Sequence, residues 1–146
     1  MKTVVMNHKE IARKWYLVDA KNKVLGRLAS DIAGKLIGKN RPAYSPNQDH
    51  GDHIIVINAD KVAVTGRKAE IKNYFRHSQY PGGEKIRSYK KQMELDSTRI
   101  IIHAVKGMVP KNTRGRAILK KLHVYSGESH PHEAQKPEPL SLGKTI

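Results

Sequence analysis

Cysteine is absent from the 146-residue chain, and aromatic residues make up only 5% of it. Without cysteine the chain has no disulfide framework, no thiolate nucleophile and no cysteine-ligated zinc ribbon. This absence fits a reducing compartment. Hydrophobic residues reach 38%, a low share for a self-sufficient globular core. We therefore expect one domain with a moderate core, part of whose surface is buried by a partner.

Long apolar runs are missing as well. No stretch approaches the roughly 20 apolar residues of a membrane-spanning helix. The first residues also lack the uninterrupted apolar segment that a secretory signal requires. We therefore expect an intracellular, soluble protein without a membrane partner.

Negative charge is scarce, because 13 Asp and Glu residues stand against 28 Lys and Arg, which gives a net charge of +15. Such a charge repels itself in a compact chain and favours a polyanionic partner that neutralises it. RNA, DNA and an anionic membrane surface all meet that requirement on charge alone. The alternative is a very soluble basic protein with no fixed partner.

The carboxylate-free stretch 106–116, KGMVPKNTRGR, concentrates this positive charge. Its lysines and arginines can neutralise phosphates. Its glycines let main-chain N–H groups approach a ligand, and its proline fixes the direction of the turn. The stretch therefore predicts a backbone-shaped segment that binds a polyanion.

Hydrophobic patterns predict an α/β fold. The run 15–18, WYLV, predicts a first strand, and apolar residues at helical spacing over 25–36 predict an amphipathic helix that ends near Gly38. The unbroken run 54–57, IIVI, is typical of a strand buried on both faces. Strand, helix and buried strand in this order form a βαβ unit with a right-handed crossover.

Later segments are shorter or ambiguous. The pattern predicts a short strand at 62–65, a helix at 117–122 and a strand at 122–125. Segment 99–105 contains three consecutive isoleucines that suit a strand, but its apolar residues also form a helical face, and we predict a helix. The basic, tyrosine-rich region 66–92 predicts an extension laid over a partner.

Aromatic side chains have two possible roles in a basic protein. We expect Trp15 and Phe75 to pack in the core, whereas Tyr74, Tyr80 and Tyr89 suit either core packing or stacking on unpaired bases.

Two clusters could carry catalysis or bind a metal. A metal-dependent nuclease could use the carboxylates and imidazoles of the loop formed by Asn47, Asp49, His50, Asp52 and His53. This loop precedes its strand, whereas ligands in open α/β sheets bind beyond the carboxyl ends of strands. We therefore predict that its side chains brace the local backbone.

The second cluster is in the C-terminal tail, where His130 and His132 flank a proline. They lack the i, i+4 spacing of a zinc-protease pair. No glycine-rich nucleotide motif is present, and Gly82–Gly83 after Pro81 predicts a turn. We expect no catalytic residues, no metal, no cofactor and no small-molecule substrate.

Seven phrases in the right order resemble the bacterial form of the large-subunit ribosomal protein thirteen family. They are KWYLVDA at 14–20, LGRL at 25–28, GDHIIVINADK at 51–61, YFRHS at 74–78, YPGG at 80–83, VKGMVPK at 105–111 and VYSGESHPHEAQ at 124–135. The family usually has Thr-Pro-His where this chain has Ser45, Pro46 and Asn47. The resemblance therefore carries no RNA contact through that histidine onto this chain.

The resemblance implies a three-layer α/β/α domain with a small, mostly parallel central sheet and basic extensions. It implies a non-enzymatic constituent of the large ribosomal subunit that lies in the cytoplasm, binds large-subunit ribosomal RNA beside neighbouring large-subunit ribosomal proteins, and supports subunit assembly. We expect an N-terminal arm at 1–14, a single RNA-binding domain at 15–127 and an extended C-terminal tail at 128–146. The rival hypothesis is a regulator that binds messenger RNA or DNA, although no helix-turn-helix, zinc-finger or RNA-recognition signature is evident.

Candidate RNA contacts are the cations, with one amide and one imidazole, that lie in or near the basic segments. They are Lys39, Arg41, Arg67, Lys68, Arg76, His77, Lys85, Arg87, Lys106, Lys111, Asn112, Arg114, Arg116, Lys120 and Lys121. Phosphate contacts would position the protein, and the shape of the folded RNA would supply selectivity.

Overall fold

The computed structural model describes residues 11–142, in which helices pack against a small parallel sheet. The elements are β1 (Trp15–Asp19), α1 (Leu25–Ile37), β2 (His53–Ile57), α2 (Lys68–Ile71), β3 (Asn73–His77), β4 (Glu84–Ser88), α3 (Tyr89–Leu95), α4 (Thr98–Met108), α5 (Thr113–Leu119), β5 (Leu122–Val124) and β6 (Glu138–Pro139). Most of the predicted arm at 1–14 falls outside the described residues. Within 11–142, no helix has the length and apolar character needed to span a membrane.

The central sheet has the strand order β5-β2-β1-β6, and all its pairings are parallel. Strands β1 and β2 are joined through α1, which confirms the predicted βαβ order. Ile54, Ile55 and Val56 are fully buried because β2 is an inner strand with both faces covered. The fold is the predicted three-layer α/β class with a mostly parallel sheet.

One face of the sheet and two helices form the main core. Leu28, Ile32 and Leu36 repeat along α1 at helical spacing and are fully buried, as are Ile101 and Val105 of α4. The helix predicted at 99–105 is therefore confirmed. Its buried isoleucine and valine side chains lie on the helical face that packs against α1, and this burial outweighs the strand preference of consecutive isoleucines.

Three predictions of local structure are wrong. Segment 62–65 forms no strand, since only Ala63 makes an isolated bridge, to Val24. The last helix is Thr113–Leu119 and not 117–122, because the side chain of Asn112 caps its N-terminus. Phe75 is 61% exposed and outside the core, because it lies on the solvent face of a two-stranded hairpin.

The basic region 66–92 is folded into short elements. Strands β3 and β4 pair antiparallel as a hairpin between α2 and α3. Gly82 has φ 70° in the connecting loop, a left-handed conformation that glycine adopts without strain. The turn predicted at Gly82–Gly83 is therefore confirmed.

Candidate nucleic-acid interface

Lys121 does not lie on the surface, although the sequence suggested an RNA contact. Its side chain is only 8% exposed, and its Nζ lies 2.6 Å from Oδ1 of Asp49. The same ammonium donates a 3.1 Å hydrogen bond to the carbonyl of Gly51. We correct the prediction for Lys121, because a cation that is buried and already paired has no free face for a phosphate.

Asp49 keeps its charge because of this pair. Burial alone would raise the pKa of Asp49, but the hydrogen bond and charge of Lys121 outweigh it and hold that pKa below its ordinary value of 3.8. Burial lowers the pKa of Lys121 against the attraction of the carboxylate. The carboxylate of Asp49 therefore stabilises the charged form of Lys121.

Asp52 is also engaged in structural contacts. It is 2% exposed and accepts hydrogen bonds from the backbone N–H of Lys14, at 3.0 Å, and from the guanidinium of Arg41. Arg41 is half-buried against this carboxylate and is a poor candidate for an RNA contact. The predicted bracing of local backbone is confirmed only for Asp49, whose Oδ1 accepts a 3.2 Å hydrogen bond from the N–H of Gly51, whereas Asp52 binds groups that are distant in sequence.

No group of three or more His, Cys, Asp or Glu side chains is arranged to hold a metal ion anywhere in residues 11–142. The tail histidines have a packing role instead. The ring of His132 lies 4.6 Å from that of His123 and 5.4 Å from that of Trp15. The hydroxyl of Tyr125 also lies 2.7 Å from Nε2 of His132. The expectation that Trp15 packs in the core is therefore wrong, because its ring is half-buried against these histidines and lies outside the main core.

Asn112 and Arg114 hold the start of α5 in place. Oδ1 of Asn112 accepts a 2.8 Å hydrogen bond from the N–H of Gly115. Arg114 turns inward, where its guanidinium lies 5.9 Å from the centre of the Tyr44 ring and donates to the carbonyl of Pro46. These two residues shape the predicted binding segment through bonds within the protein, although Nε and Nη2 of Arg114 are buried without a hydrogen-bond partner among the described residues.

The cations around Asn112 and Arg114 point outward. Three exposed cations line one shallow concave surface: Lys106 in the last turn of α4, Lys111 in the loop before α5, and Arg116 in the last turn of α5. Within residues 11–142, none of the three forms an ion pair with a carboxylate. We call this group, with the exposed Lys120 beside it in sequence, the α4–α5 surface.

A second group lies on the hairpin. Arg76, Lys85 and Arg87 line a cavity between β3–β4 and α4, together with Arg99, a residue that the sequence did not single out. His77 is half-buried, and its Nδ1 accepts a 2.9 Å hydrogen bond from the N–H of Gln79. The local sequence around Arg99 did not indicate a binding role, because only the tertiary structure places Arg99 opposite the hairpin.

The remaining candidates are exposed but scattered. Lys39 follows α1, and Arg67 and Lys68 lie at the start of α2. Lys68 shares a concave surface with Arg27 and Lys72, two cations that the sequence did not select. Arg27 lies in the first turn of α1, a regular helix, and nothing local in its sequence distinguished it from solvent-facing charge.

Comparison of the sequence with known proteins identifies its family. The profile of the family described as Ribosomal protein L13 matches residues 13–131. The large ribosomal subunit protein uL13 of Thermotoga petrophila is 52% identical over 141 residues, which cover 97% of this chain and 95% of that protein. The protein of the same name from Halorhodospira halophila is 54% identical over 142 residues, which cover 97% of this chain and 100% of that protein. The protein of the same name from Nitrosomonas europaea is 53% identical over 142 residues, which cover 97% of this chain and 99% of that protein. The chain therefore belongs to the Ribosomal protein L13 family.

Proposed function

We propose that this protein is a structural constituent of the large ribosomal subunit that binds large-subunit ribosomal RNA and supports subunit assembly. Its membership of the Ribosomal protein L13 family supports the ribosomal role. The observation that carries RNA binding is the α4–α5 surface, whose cations are exposed and unpaired among the described residues. Unpaired cations on a chain of net charge +15 favour a polyanionic partner.

The binding mechanism is the neutralisation of closely spaced phosphates. Lys106, Lys111 and Arg116 each release counterions from the RNA when they bind a phosphate, so affinity falls as salt concentration rises. Asn112 and Arg114 act indirectly, because they fix the backbone that presents these cations. Phosphate contacts set the position of the protein, and the folded shape of the RNA sets its selectivity.

The same proposal assigns the partners and location. Large-subunit ribosomal RNA is the main partner, neighbouring large-subunit ribosomal proteins cover further surface, and the protein acts in the ribosome of the bacterial cytoplasm. It is not an enzyme, as its family is one of structural ribosomal proteins. The engaged carboxylates of Asp49 and Asp52 fit this conclusion.

Quantitative co-sedimentation tests the ribosomal role. The tagged chain is expressed in bacterial cells, and large subunits are isolated through a high-salt wash. We expect close to one copy of the protein per large subunit and little on the small subunit. A protein that is largely absent from washed large subunits, and bound instead to messenger RNA or DNA, would favour the regulatory alternative.

A further inference from the structure

One face of the β3–β4 hairpin carries three cations and a tyrosine. Tyr74 is paired with Arg87 and Arg76 with Lys85 in the antiparallel register of β3 and β4. Directly opposed residues share a face, and alternate residues along a strand return to it. Two arginines, one lysine and one tyrosine therefore project from the same side of the hairpin.

Helix α4 closes this face into a cavity. Arg99 and His103 of α4 line the side opposite the hairpin, and none of the acidic residues in the described range 11–142 lines the cavity. Arg99 contacts Asp96 outside the lining, at 2.9 Å. Among residues 11–142, the arginines and the lysine of the hairpin have no carboxylate partner. The cavity therefore has an unbalanced positive charge, which suits an anionic group.

Tyr74 adds a donor of a different kind. Its hydroxyl is buried and has no hydrogen-bond partner among the described residues, whereas its ring is held edge-on against His103 at 5.3 Å. Burial first, and then the nearby Tyr89, raise the pKa of Tyr74 to about 12. The hydroxyl therefore remains a neutral donor at neutral pH. A buried hydroxyl without a partner is costly, and a ligand oxygen would remove that cost.

We propose that the cavity between the β3–β4 hairpin and α4 binds one phosphate group of the RNA chain. Arg76, Lys85 and Arg87 neutralise the phosphate, and the hydroxyl of Tyr74 donates a hydrogen bond to one of its oxygens. The cationic side chains of the hairpin are exposed and change rotamer readily, and the proposal requires that local movement of this kind opens the buried hydroxyl to the phosphate. This inference rests on the proposed RNA-binding function and assigns it a defined second site.

The test measures binding of the full chain to purified large-subunit ribosomal RNA at several salt concentrations. Tyr74→Phe keeps the ring and removes only the hydroxyl. We expect affinity to fall roughly tenfold, the typical effect of losing a hydrogen bond to a charged group. The slope of log affinity against log salt stays unchanged, because no charge is lost. Tyr80→Phe is the matched control, since Tyr80 is 75% exposed and outside the cavity.

A second variant addresses the charge. Arg87→Gln should weaken binding and make the salt slope shallower by about 1, because one fewer counterion is released. Arg87 is exposed, so this variant remains folded and informative even if Tyr74→Phe loses stability. We expect instead that Tyr74→Phe is at least as stable as the parent, since it removes a buried hydroxyl without a partner.

Three outcomes overturn the proposal. In the first, the parent binds the RNA but Tyr74→Phe, well folded, binds as tightly as Tyr80→Phe; the cavity is then empty and the general function stands. In the second, the parent does not bind the RNA, and the proposed function fails with it. In the third, adenosine monophosphate or inorganic phosphate binds the parent more tightly than the RNA does, in a manner lost in Tyr74→Phe, and the cavity is a site for a free phosphate compound.

Discussion

The ion pair of Lys121 with Asp49 shows how the function of a charged residue depends on its burial. Lys121 lies directly before β5, and Asp49 lies in the loop before β2, so their 2.6 Å contact joins segments far apart in the chain. Lys120, its neighbour in sequence, is exposed. Two adjacent lysines therefore have different roles, one structural and one available for a partner.

We predict that Lys121→Gln lowers the free energy of unfolding by about 3 kcal/mol. This is the low end of the effect of breaking a buried pair, because Asp49 keeps some contact with solvent. Lys120→Gln is the matched control and should change stability by less than about 0.5 kcal/mol. Denaturant unfolding of both variants checks the prediction. Equal stabilities would mean that the buried ammonium contributes nothing.

The same pair predicts a pH dependence. The pKa of Asp49 is lower in the folded state than its ordinary 3.8, so the carboxylate adds stability that is complete above about pH 5 and is lost as pH falls through the folded pKa. We expect Asp49→Asn to be less stable than the parent at pH 6, and the difference to shrink towards pH 3. Thermal unfolding across this range tests it, with the exposed Glu94→Gln as control. A difference that is constant with pH would contradict it.

At the scale of elements, the sequence predicted the strands and helices whose pattern lies in neighbouring residues. It missed the features that depend on contacts between distant segments. The run 54–57 identified β2, because a strand covered on both faces needs apolar side chains throughout. Phe75 looked like a core residue, but it alternates with the half-buried Tyr74 along β3 and therefore projects from the opposite side of the hairpin, where it stays 61% exposed. The start of α5 was missed because three polar residues at its start hid the helical pattern.

The first turn of α5 depends on close approach of the backbone to Pro110. A Cβ added at Gly115 would lie 1.7 Å from the carbonyl oxygen of Pro110, whereas a Cβ at Gly107 of α4 meets nothing within 4 Å. We predict that Gly115→Ala destabilises the protein by about 1–3 kcal/mol, the usual effect of overpacking. Gly107→Ala should stabilise it by about 0.5–1 kcal/mol through helix propensity. Denaturant unfolding that found the two variants alike would refute this account of α5.

At the scale of the whole molecule, the net charge of +15 predicts a polyanionic partner but does not select the contact residues. Of the candidate cations, Lys121 is buried, and Arg41 and Arg114 turn towards other parts of the protein. Local sequence could not distinguish these three side chains from the exposed Lys106 and Lys111. The partners that hold Arg41, Arg114 and Lys121 lie 11, 68 and 72 positions away along the chain. The other candidate cations are exposed, and none of them forms an ion pair with a carboxylate in the described part of the chain.

The salt dependence of binding to large-subunit ribosomal RNA tests the central claim most directly. Three substitutions, Lys106→Gln, Lys111→Gln and Arg116→Gln, remove the charges of the α4–α5 surface together, and all three side chains are exposed. We predict an intact circular dichroism spectrum, weaker binding, and a slope of log affinity against log salt that is shallower by roughly 2 to 3. A folded triple variant with the same affinity and the same slope as the parent would contradict the account, because these cations would then face solvent in the complex.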